Sequence, residues 1–433
     1  MGYLLGIICL FIAGVTWKTY KNLLNPVTFF YGLWGIICIF SQMRLYGFTG
    51  ANICIYLLIG LGIFCFGVGC ILTLNHRRYL RKYSFGHKSI HHISRSKRPD
   101  FKLLWTLMLI VFLYTLTKLV LAIPFLLESN SIGYVRMIYL KVGAGITLNA
   151  ADYYTNSFII TGFRLACEVI IINELISRRK VSIKLVLLLL IIVCMNVLLS
   201  GGRMILLDLC TYFFFSIILN NFIRKVKPKF KHKCFIGILL IVVICSMIYL
   251  TLSRQSDVSF MQSIYGNFFG GVSLMNTLIN DVLGNSWTFG TMFFYGILSI
   301  VFPVFNVIWG IPYPSTFNTF DYLISPFYSV GKSVMNAYTT CWLYFYADFR
   351  ILGIVCFSLF WGIIAANSYN KAIQKQTGAN ICIYMIMLNV MFYSFIRWQL
   401  CNASYLLALI LIPTIYRKKY ISTEYIEKTG ITL

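Results

Sequence analysis

Long apolar runs separated by short polar segments repeat along almost the whole chain. A membrane-spanning α-helix needs about 20 mostly apolar residues, and runs of similar length continue to residue 416. They predict about eleven transmembrane helices, near residues 3–16, 27–43, 51–74, 103–127, 157–176, 185–199, 204–223, 234–252, 351–370, 379–396 and 402–416. The pattern indicates an all-α polytopic membrane protein in which residues 1–433 form a single transmembrane domain.

The overall composition agrees with this pattern. Of 433 residues, 59% are hydrophobic and 11% are charged, and the mean hydropathy is +0.80. Soluble domains carry about 25% charged residues. Lipid is therefore the main solvent, and little sequence remains for a separate water-soluble domain.

The positive charge is concentrated between the apolar runs. Lys and Arg outnumber Asp and Glu 37 to 12. Basic residues cluster in segments 17–26, 75–102, 177–184, 224–233, 371–378 and the tail from Arg417, which together hold 27 of the 37. Cytoplasmic loops carry such an excess, so we expect the N-terminus outside and the C-terminus in the cytoplasm. The excess charge then reports topology and anionic lipid headgroups rather than nucleic acid.

Two long segments, 128–156 and 253–350, fall on the predicted outer side. The segment 253–350 is rich in aromatic residues and has a net charge of −1, unlike the basic inner loops. Its apolar run 288–309 is long enough to cross, but a single crossing would place basic segments outside. We therefore expect a re-entrant or surface-lying segment, and a pair of crossings is the alternative.

Familiar cofactor and metal motifs are absent from the sequence. The 14 cysteines lie mostly inside apolar runs, without the spacing of a zinc site. No GxGxxG, Walker A, HExxH or GxSxG sequence occurs. Nucleotide-dependent and zinc-hydrolase chemistry therefore has no support, and we expect neither a metal nor a cofactor.

The outer face has few ionisable residues, and several are arginines at predicted helix ends. They are Arg44, Glu128, Arg136, Lys141, Asp152, Arg203, Arg254, Asp257, Asp281, Asp321, Lys332, Asp348, Arg350 and Arg397. A guanidinium group presents a planar fork that matches phosphate oxygens, which suits a diphosphate at the membrane surface. Alternatively, an arginine at a helix end reaches water or neutralises a carboxylate.

Arg203 is the sharpest candidate among them. Ser200-Gly201-Gly202-Arg203 forms the tight outer turn between two predicted helices. The glycines permit a positive φ and a close approach of the backbone to a ligand, and Arg203 opens the next helix. Alternatively, the two glycines simply close a helical hairpin.

Four charged residues fall inside predicted helices: Lys118, Arg164, Glu168 and Asp208. Each costs roughly 2.5–3.5 kcal/mol on insertion into lipid, so we expect them to face a polar cavity. Arg164 and Glu168 are spaced i,i+4 and can neutralise each other. A binding role for Arg164 and this internal pairing are both open.

Aromatic residues of segment 253–350, including Tyr338 and Tyr346, have two interpretations. Aromatic rings stack against the apolar faces of sugars, and they also form the ordinary belt of Trp and Tyr at membrane interfaces. The sequence does not separate the two.

Several features together resemble a known family. They are the turn 200–203, an arginine after the next outward helix (Arg254), the long outer loop, and the segment from Asn336 to Gly353. The last contains Tyr338-Thr339 followed by Tyr346-Ala-Asp348-Phe-Arg350-Ile-Leu-Gly353, and it resembles the Tyr-Thr and Tyr-x-Asp-Phe-Gly-x-x-Gly pattern of the Wzy or O-antigen polymerases. Arg350 stands where that family usually has Gly, so it either contacts phosphate or sugar or is merely tolerated by the turn.

The resemblance implies a GT-C-like glycosyltransferase at the outer face of the bacterial inner membrane. Such enzymes transfer a growing glycan from undecaprenyl diphosphate to the non-reducing end of a new lipid-linked repeat unit, for O-antigen or capsule. We expect Arg203 and Arg254, with Arg136 or Lys141, to hold the diphosphates. Asp257 or Asp348 would orient or deprotonate the acceptor. The expected partners are the lipid-linked substrate, the bilayer, and a chain-length regulator and flippase of the same pathway.

Rival interpretations are a lipid-linked oligosaccharide flippase and a glycan ligase. A flippase predicts paired halves with matching broken helices, and no internal repeat is found. A ligase would share the donor but pass glycan to a lipid A core. A structural scaffold has no need for an arginine in a glycine turn.

Overall fold

The structure, a computed structural model, describes residues 1–84, 97–129, 132–177, 181–224, 259–336 and 338–419, with Gly237, Ser246 and Ile248. Most of these residues are helical, as the apolar runs predict. The helices are α1 (Gly2–Tyr20), α2 (Pro26–Gln42), α3 (Ile53–Ser84), α4 (Phe101–Ser129), α5 (Ile132–Leu140), α6 (Ala150–Tyr154), α7 (Thr161–Ile176), α8 (Ile183–Ser200), α9 (Arg203–Arg224), α10 (Phe260–Thr277), α11 (Tyr295–Trp309), α12 (Ser315–Ile324), α13 (Cys341–Lys375), α14 (Gly378–Phe392) and α15 (Ala403–Ile415).

Seven helices in the described ranges are long and apolar enough to cross a membrane. These spans are Gly2–Tyr20, Ile53–Leu74, Phe101–Glu128, Ile183–Ser200, Arg203–Ile223, Cys341–Lys375 and Gly378–Phe395. The prediction of an all-α multi-pass membrane protein is confirmed. The count of eleven and the orientation remain predictions, and almost all of the predicted helix 234–252 lies outside the described residues.

The chain forms two compact units. Unit 1 contains Met1–His76, Leu240–Tyr369 and Met387–Leu406, and unit 2 contains Arg77–Leu239, Asn370–Ile386 and Leu407–Leu433. The described part of segment 253–350 belongs to unit 1. A single transmembrane domain over residues 1–433 remains a prediction.

Aromatic side chains form the core of unit 1. Trp342, Trp361 and Trp398 are almost completely buried, and Trp361 meets Trp398 edge to face with ring centres 5.1 Å apart. Phe345 meets Trp398 in the same way at 5.1 Å. Edge-to-face pairs add to the stabilisation that burial of these large rings provides. This packing fixes the start of α13 against the turn before α15.

The long segment between α9 and α13 folds mainly into helices within unit 1. Helix α10 packs against α2, where the Tyr265 hydroxyl donates to the Phe40 carbonyl at 2.7 Å and the Phe40 and Phe269 rings stack. After α11 and α12, strands β2 (Tyr328–Val330) and β3 (Ser333–Met335) pair antiparallel as a hairpin. Shorter strands β1 (Lys97–Arg98) and β4 (Lys418–Lys419) pair antiparallel in unit 2.

Helix α13 contains a sharp kink. Phe349 and Arg350 leave the helical conformation, with φ of −140° and 55°, respectively. A Cβ atom on Gly353 would lie 2.0 Å from the Phe345 carbonyl oxygen, so only glycine permits this close approach. The predicted helix 351–370 corresponds to the part of α13 that follows the kink.

Unit 2 is built around α4 and α7 to α9. Helix α5 packs against α4 and the end of α8 through Val135, Ile138 and Leu199. A π-helical turn, Thr155–Ile160, precedes α7. Such turns are frequent at functional sites.

Candidate functional site

Arg397 lies in the turn between α14 and α15, and the chain packs the Tyr338-Thr339 motif against this turn. The amides of Thr339 and Thr340 both donate to the Ile396 carbonyl, at 2.8 and 3.2 Å. The Arg397 amide donates to the Tyr393 carbonyl. Two segments more than fifty residues apart in sequence therefore meet at Arg397.

The Arg397 side chain has no acidic partner in the described part of the chain. It is partly exposed, but its Nε is buried and has no hydrogen-bond partner there. Cys401, Tyr344, Tyr405 and Tyr338 lie within electrostatic range of its guanidinium group. A buried donor without a partner is costly, and it points to a strained or functional site.

This arrangement suits an anionic oxygen ligand. A guanidinium group donates to two oxygens of a phosphate or carboxylate at once. Partial burial weakens the screening by water and strengthens the attraction. Tyr338 is partly exposed and adds a hydroxyl group and a ring face, whereas Tyr344 is buried and the Tyr405 hydroxyl donates to Asn389 Oδ1 at 2.8 Å. The Arg397 cluster, defined as Arg397 with Tyr338, Tyr344 and Tyr405, can therefore bind an anion attached to a larger polar group through Arg397 and Tyr338.

Asp348 lies in the same unit, and its carboxylate is already hydrogen-bonded. It is completely buried and accepts from the Thr288 hydroxyl at 2.5 Å and from the amides of Met292 and Phe293 at 3.0 and 2.8 Å. The Thr288 amide also donates to the Ala347 carbonyl at 3.1 Å. In this structure Asp348 holds segment 288–293 in place, and its catalytic role remains a prediction.

The Arg350 side chain binds the backbone of residues 284–286, just before segment 288–293. Its Nη2 donates to the carbonyls of Gly284 and Ser286 at 2.7 and 2.9 Å. Its guanidinium also lies over the rings of Tyr346 and Trp287, at 5.1 and 5.9 Å from their centres. The backbone has φ 55° and ψ −132°, a conformation that favours glycine.

The Ser-Gly-Gly-Arg turn of unit 2 has the local structure that the sequence predicts. Gly201 ends α8 with φ 53°, and Arg203 is the first residue of α9. The Ser200 hydroxyl donates to the Asn196 carbonyl at 2.7 Å and accepts from the Gly202 amide at 3.0 Å. The geometry of the turn is confirmed, whereas ligand binding by Arg203 remains a prediction.

Arg136 and Lys141 also belong to unit 2. Both are exposed, Arg136 on α5 and Lys141 just after it. Because α5 packs against Leu199 at the end of α8, the structure brings their helix to the turn that leads to Arg203. Their proposed contact with a diphosphate remains a prediction.

Lys118 has a carboxylate partner, Asp152, from the segment predicted to lie outside. It forms an ion pair with Asp152 and donates to the Ile146 carbonyl at 2.9 Å. Tyr114 and the Leu148 amide donate to the same carboxylate. Burial raises the pKa of Asp152, but these hydrogen bonds and the Lys118 charge outweigh it and lower the pKa below its ordinary value.

Arg164 is paired as its spacing suggests. Its Nη1 lies 3.1 Å from Glu168 Oε2, and both side chains are buried. The i,i+4 neutralisation is confirmed. An arginine engaged in this way is less available to a ligand than Arg397, and substrate binding by Arg164 remains a prediction.

The candidates therefore divide between the two units. Unit 1 contains Tyr338, Tyr346, Asp348 and Arg350, and unit 2 contains Arg136, Lys141, Arg164 and Arg203. Arg254 and Asp257 lie outside the described residues.

Arg397 is one of the charged residues predicted to lie on the outer face, but the sequence alone assigns it no role. A signal was present, because Arg397 is the only charged residue between Lys375 and Arg417 in the sequence. A single charge isolated in such a long apolar stretch requires a reason to be there.

Comparisons with known proteins identify no relative. Neither the scan against family models nor the searches of curated proteins and solved structures gave a match.

Proposed function

We propose that the chain is a membrane glycosyltransferase that polymerises lipid-linked oligosaccharide repeat units. It transfers a growing glycan from undecaprenyl diphosphate to the non-reducing end of a new undecaprenyl-diphosphate-linked unit, during O-antigen or capsule synthesis. The observation that carries the proposal is Arg397, which lacks an acidic partner in the described ranges and lies in the turn against which the Tyr338-Thr339 motif packs.

Glycosyl transfer from a diphosphate carrier requires a fixed positive charge next to the leaving group. The acceptor hydroxyl attacks the anomeric carbon of the donor glycan, and the bond from that carbon to the diphosphate breaks. The diphosphate leaves with the electron pair, and the hydroxyl proton passes to a carboxylate base. A preorganised guanidinium stabilises the negative charge that develops on the leaving group.

In this proposal Arg397 binds the diphosphate of one carrier. Arg203 and Arg254, with Arg136 or Lys141, serve the same purpose as the sequence predicts. Tyr338, which is partly exposed, supplies a hydroxyl group and a ring surface for the sugar next to the diphosphate. We assign Asp348 to positioning, since its oxygens are occupied, which leaves Asp257 as the proposed base.

The proposal also includes the membrane, the topology and the partner proteins. The chain has about eleven transmembrane helices in a GT-C-like arrangement in the bacterial inner membrane, with the N-terminus outside, the C-terminus in the cytoplasm and the site facing outward. A chain-length regulator and a flippase of the same pathway act with it.

Purified protein in liposomes tests the activity directly. We expect an undecaprenyl-diphosphate-linked repeat unit, supplied without nucleotide sugar, to become glycans longer by whole repeat units on a gel. Arg397→Ala should abolish elongation, while Lys332→Ala, at an exposed position on the β2–β3 turn, should retain it.

Other outcomes would identify the rivals. Movement of the lipid-linked unit across the bilayer without growth would indicate a flippase. Transfer to a lipid A core without growth would indicate a ligase. Full elongation by the Arg397→Ala protein would refute the assigned site but not the activity.

A further inference from the structure

The residues that precede and follow α11, in the apolar part of segment 253–350, lie next to each other. The Thr291 and Thr316 hydroxyls, which flank α11, are hydrogen-bonded at 2.8 Å. The ring of Tyr295 at the start of α11 lies 5.1 Å from that of Phe317. Segment 291–316 is therefore a hairpin, and Thr291 and Thr316 form its neck.

Neither arm of this hairpin is long enough to cross a membrane. Helix α11 has 15 residues, or about 22 Å at 1.5 Å per residue, whereas the hydrocarbon core is about 30 Å thick. The return arm consists of residues 310–316 only, and residues 310–314 are not helical. A crossing therefore fits neither arm.

The tip of the hairpin is apolar and exposed. Val307, Ile308 and Trp309 are 84%, 60% and 63% exposed. No charged residue occurs in the sequence between Asp281 and Asp321. Contiguous apolar patches of this kind are rare on surfaces that face water. The apolar, uncharged tip fits the hydrocarbon region of a bilayer.

The backbone of the tip suits lipid as well. Hydrocarbon offers no partner for free N–H and C=O groups. At the tip, the Gly310 amide donates to the Asn306 carbonyl at 2.9 Å, and the Asn306 side chain donates to the Ile311 carbonyl at 2.9 Å. Pro312 and Pro314 have no amide hydrogen to satisfy.

The neck is fixed to the core of unit 1. Asp348 accepts from the amides of Met292 and Phe293, and the Trp398 indole donates to the Phe293 carbonyl at 3.0 Å. We propose that segment 291–316 is a re-entrant hairpin whose tip inserts among the acyl chains of one leaflet and returns to the face from which it enters.

Cysteine labelling tests the insertion. Val307→Cys and Val334→Cys place one extra thiol at two exposed valines, 84% and 64% exposed, the second on the β2–β3 hairpin beside Lys332. Intact and permeabilised cells are treated with a membrane-impermeant maleimide. The parent chain gives the background from native cysteines, and denaturation in SDS gives the total.

We expect position 307 to react at less than about a tenth of the rate of position 334 in both preparations, because hydrocarbon excludes the charged reagent. Equal labelling of the two positions from outside would place the tip in water and overturn the proposal. Labelling of position 307 only after permeabilisation would indicate a crossing and also overturn it. Bis-maleimide cross-linking of position 307 into dimers would assign the tip to a second copy instead. None of these outcomes depends on glycosyl transfer.

Discussion

Arg164 in unit 2 and Arg397 in unit 1 are both arginines within strongly apolar sequence, but their surroundings differ. Arg164 Nη1 lies 3.1 Å from Glu168 Oε2, whereas Arg397 has tyrosines and a cysteine nearby and a buried Nε without a hydrogen-bond partner in the described ranges. A buried cation with its own carboxylate is compensated within the fold, and removing one partner leaves an uncompensated charge. A cation without one favours an anion from outside, so the two arginines should respond differently to the same substitution.

The largest expected effect is on stability at Arg164. Arg164→Gln leaves the buried Glu168 carboxylate without its cation, and breaking a buried ion pair costs about 3–5 kcal/mol. Thermal unfolding of the detergent-purified protein measures the loss. The double variant with Glu168→Gln should recover most of it, and a double variant no more stable than Arg164→Gln would contradict the pairing.

Arg397→Gln should show the opposite behaviour. Removal of a partly buried charge that has no acidic partner in the described ranges should leave thermal stability unchanged or raised. Elongation of lipid-linked repeat units should fall about 100-fold or more, as when a donor to a developing oxyanion is removed. Arg397→Lys keeps the charge without the planar fork and should retain part of the rate. Normal elongation by Arg397→Gln would place the diphosphate elsewhere.

Substitution of Asp348 tests whether a carboxylate that already accepts several hydrogen bonds can also be catalytic. Asp348→Asn removes the charged acceptor of the Thr288 hydroxyl and of the Met292 and Phe293 amides and should destabilise the protein by about 1.5–3 kcal/mol. Thr288→Val removes one of the three hydrogen bonds and should cost less. Unfolding midpoints and elongation rates should fall together, whereas a fully stable Asp348→Asn protein without activity would restore Asp348 as the base.

Arg350 gives the smallest expected effect. Arg350→Gly and Arg350→Ala both lose the contacts of the guanidinium group, but only glycine relieves the positive φ. The glycine variant should therefore be more stable by about 1–2 kcal/mol, as measured by denaturation under identical conditions. Equal stability would show that the backbone conformation at residue 350 is not strained.

Helix positions followed closely from the apolar pattern. The run 27–43 corresponds to Pro26–Gln42, where Pro26 occupies the first turn and the Asn25 side chain caps the helix. The run 185–199 corresponds to Ile183–Ser200. The apolar pattern predicted too early an end where a helix continues into polar sequence. Helix α3, for example, extends to Ser84, beyond the predicted end at residue 74.

The candidate site was predicted less completely. The pattern around Asp348 and Arg350 selected a segment for the candidate site, but it did not predict the kink or the buried hydrogen bonds that give these residues their positions. Arg397 was visible as an isolated charge, yet its partners Tyr338 and Tyr344 lie more than fifty residues away in sequence. No local spacing reports a contact of that kind.

The sequence by itself determined that this is an all-α membrane protein and where most helices lie, because lipid requires every spanning segment to satisfy its backbone internally. It also indicated that Arg164 can pair with Glu168, since four residues form about one turn of helix, and the structure shows that pair. Only the tertiary structure decided that Asp152 neutralises Lys118 and that Arg397 has no acidic partner in the described ranges. Pairing between distant residues depends on how helices pack, and a one-dimensional pattern does not contain those distances.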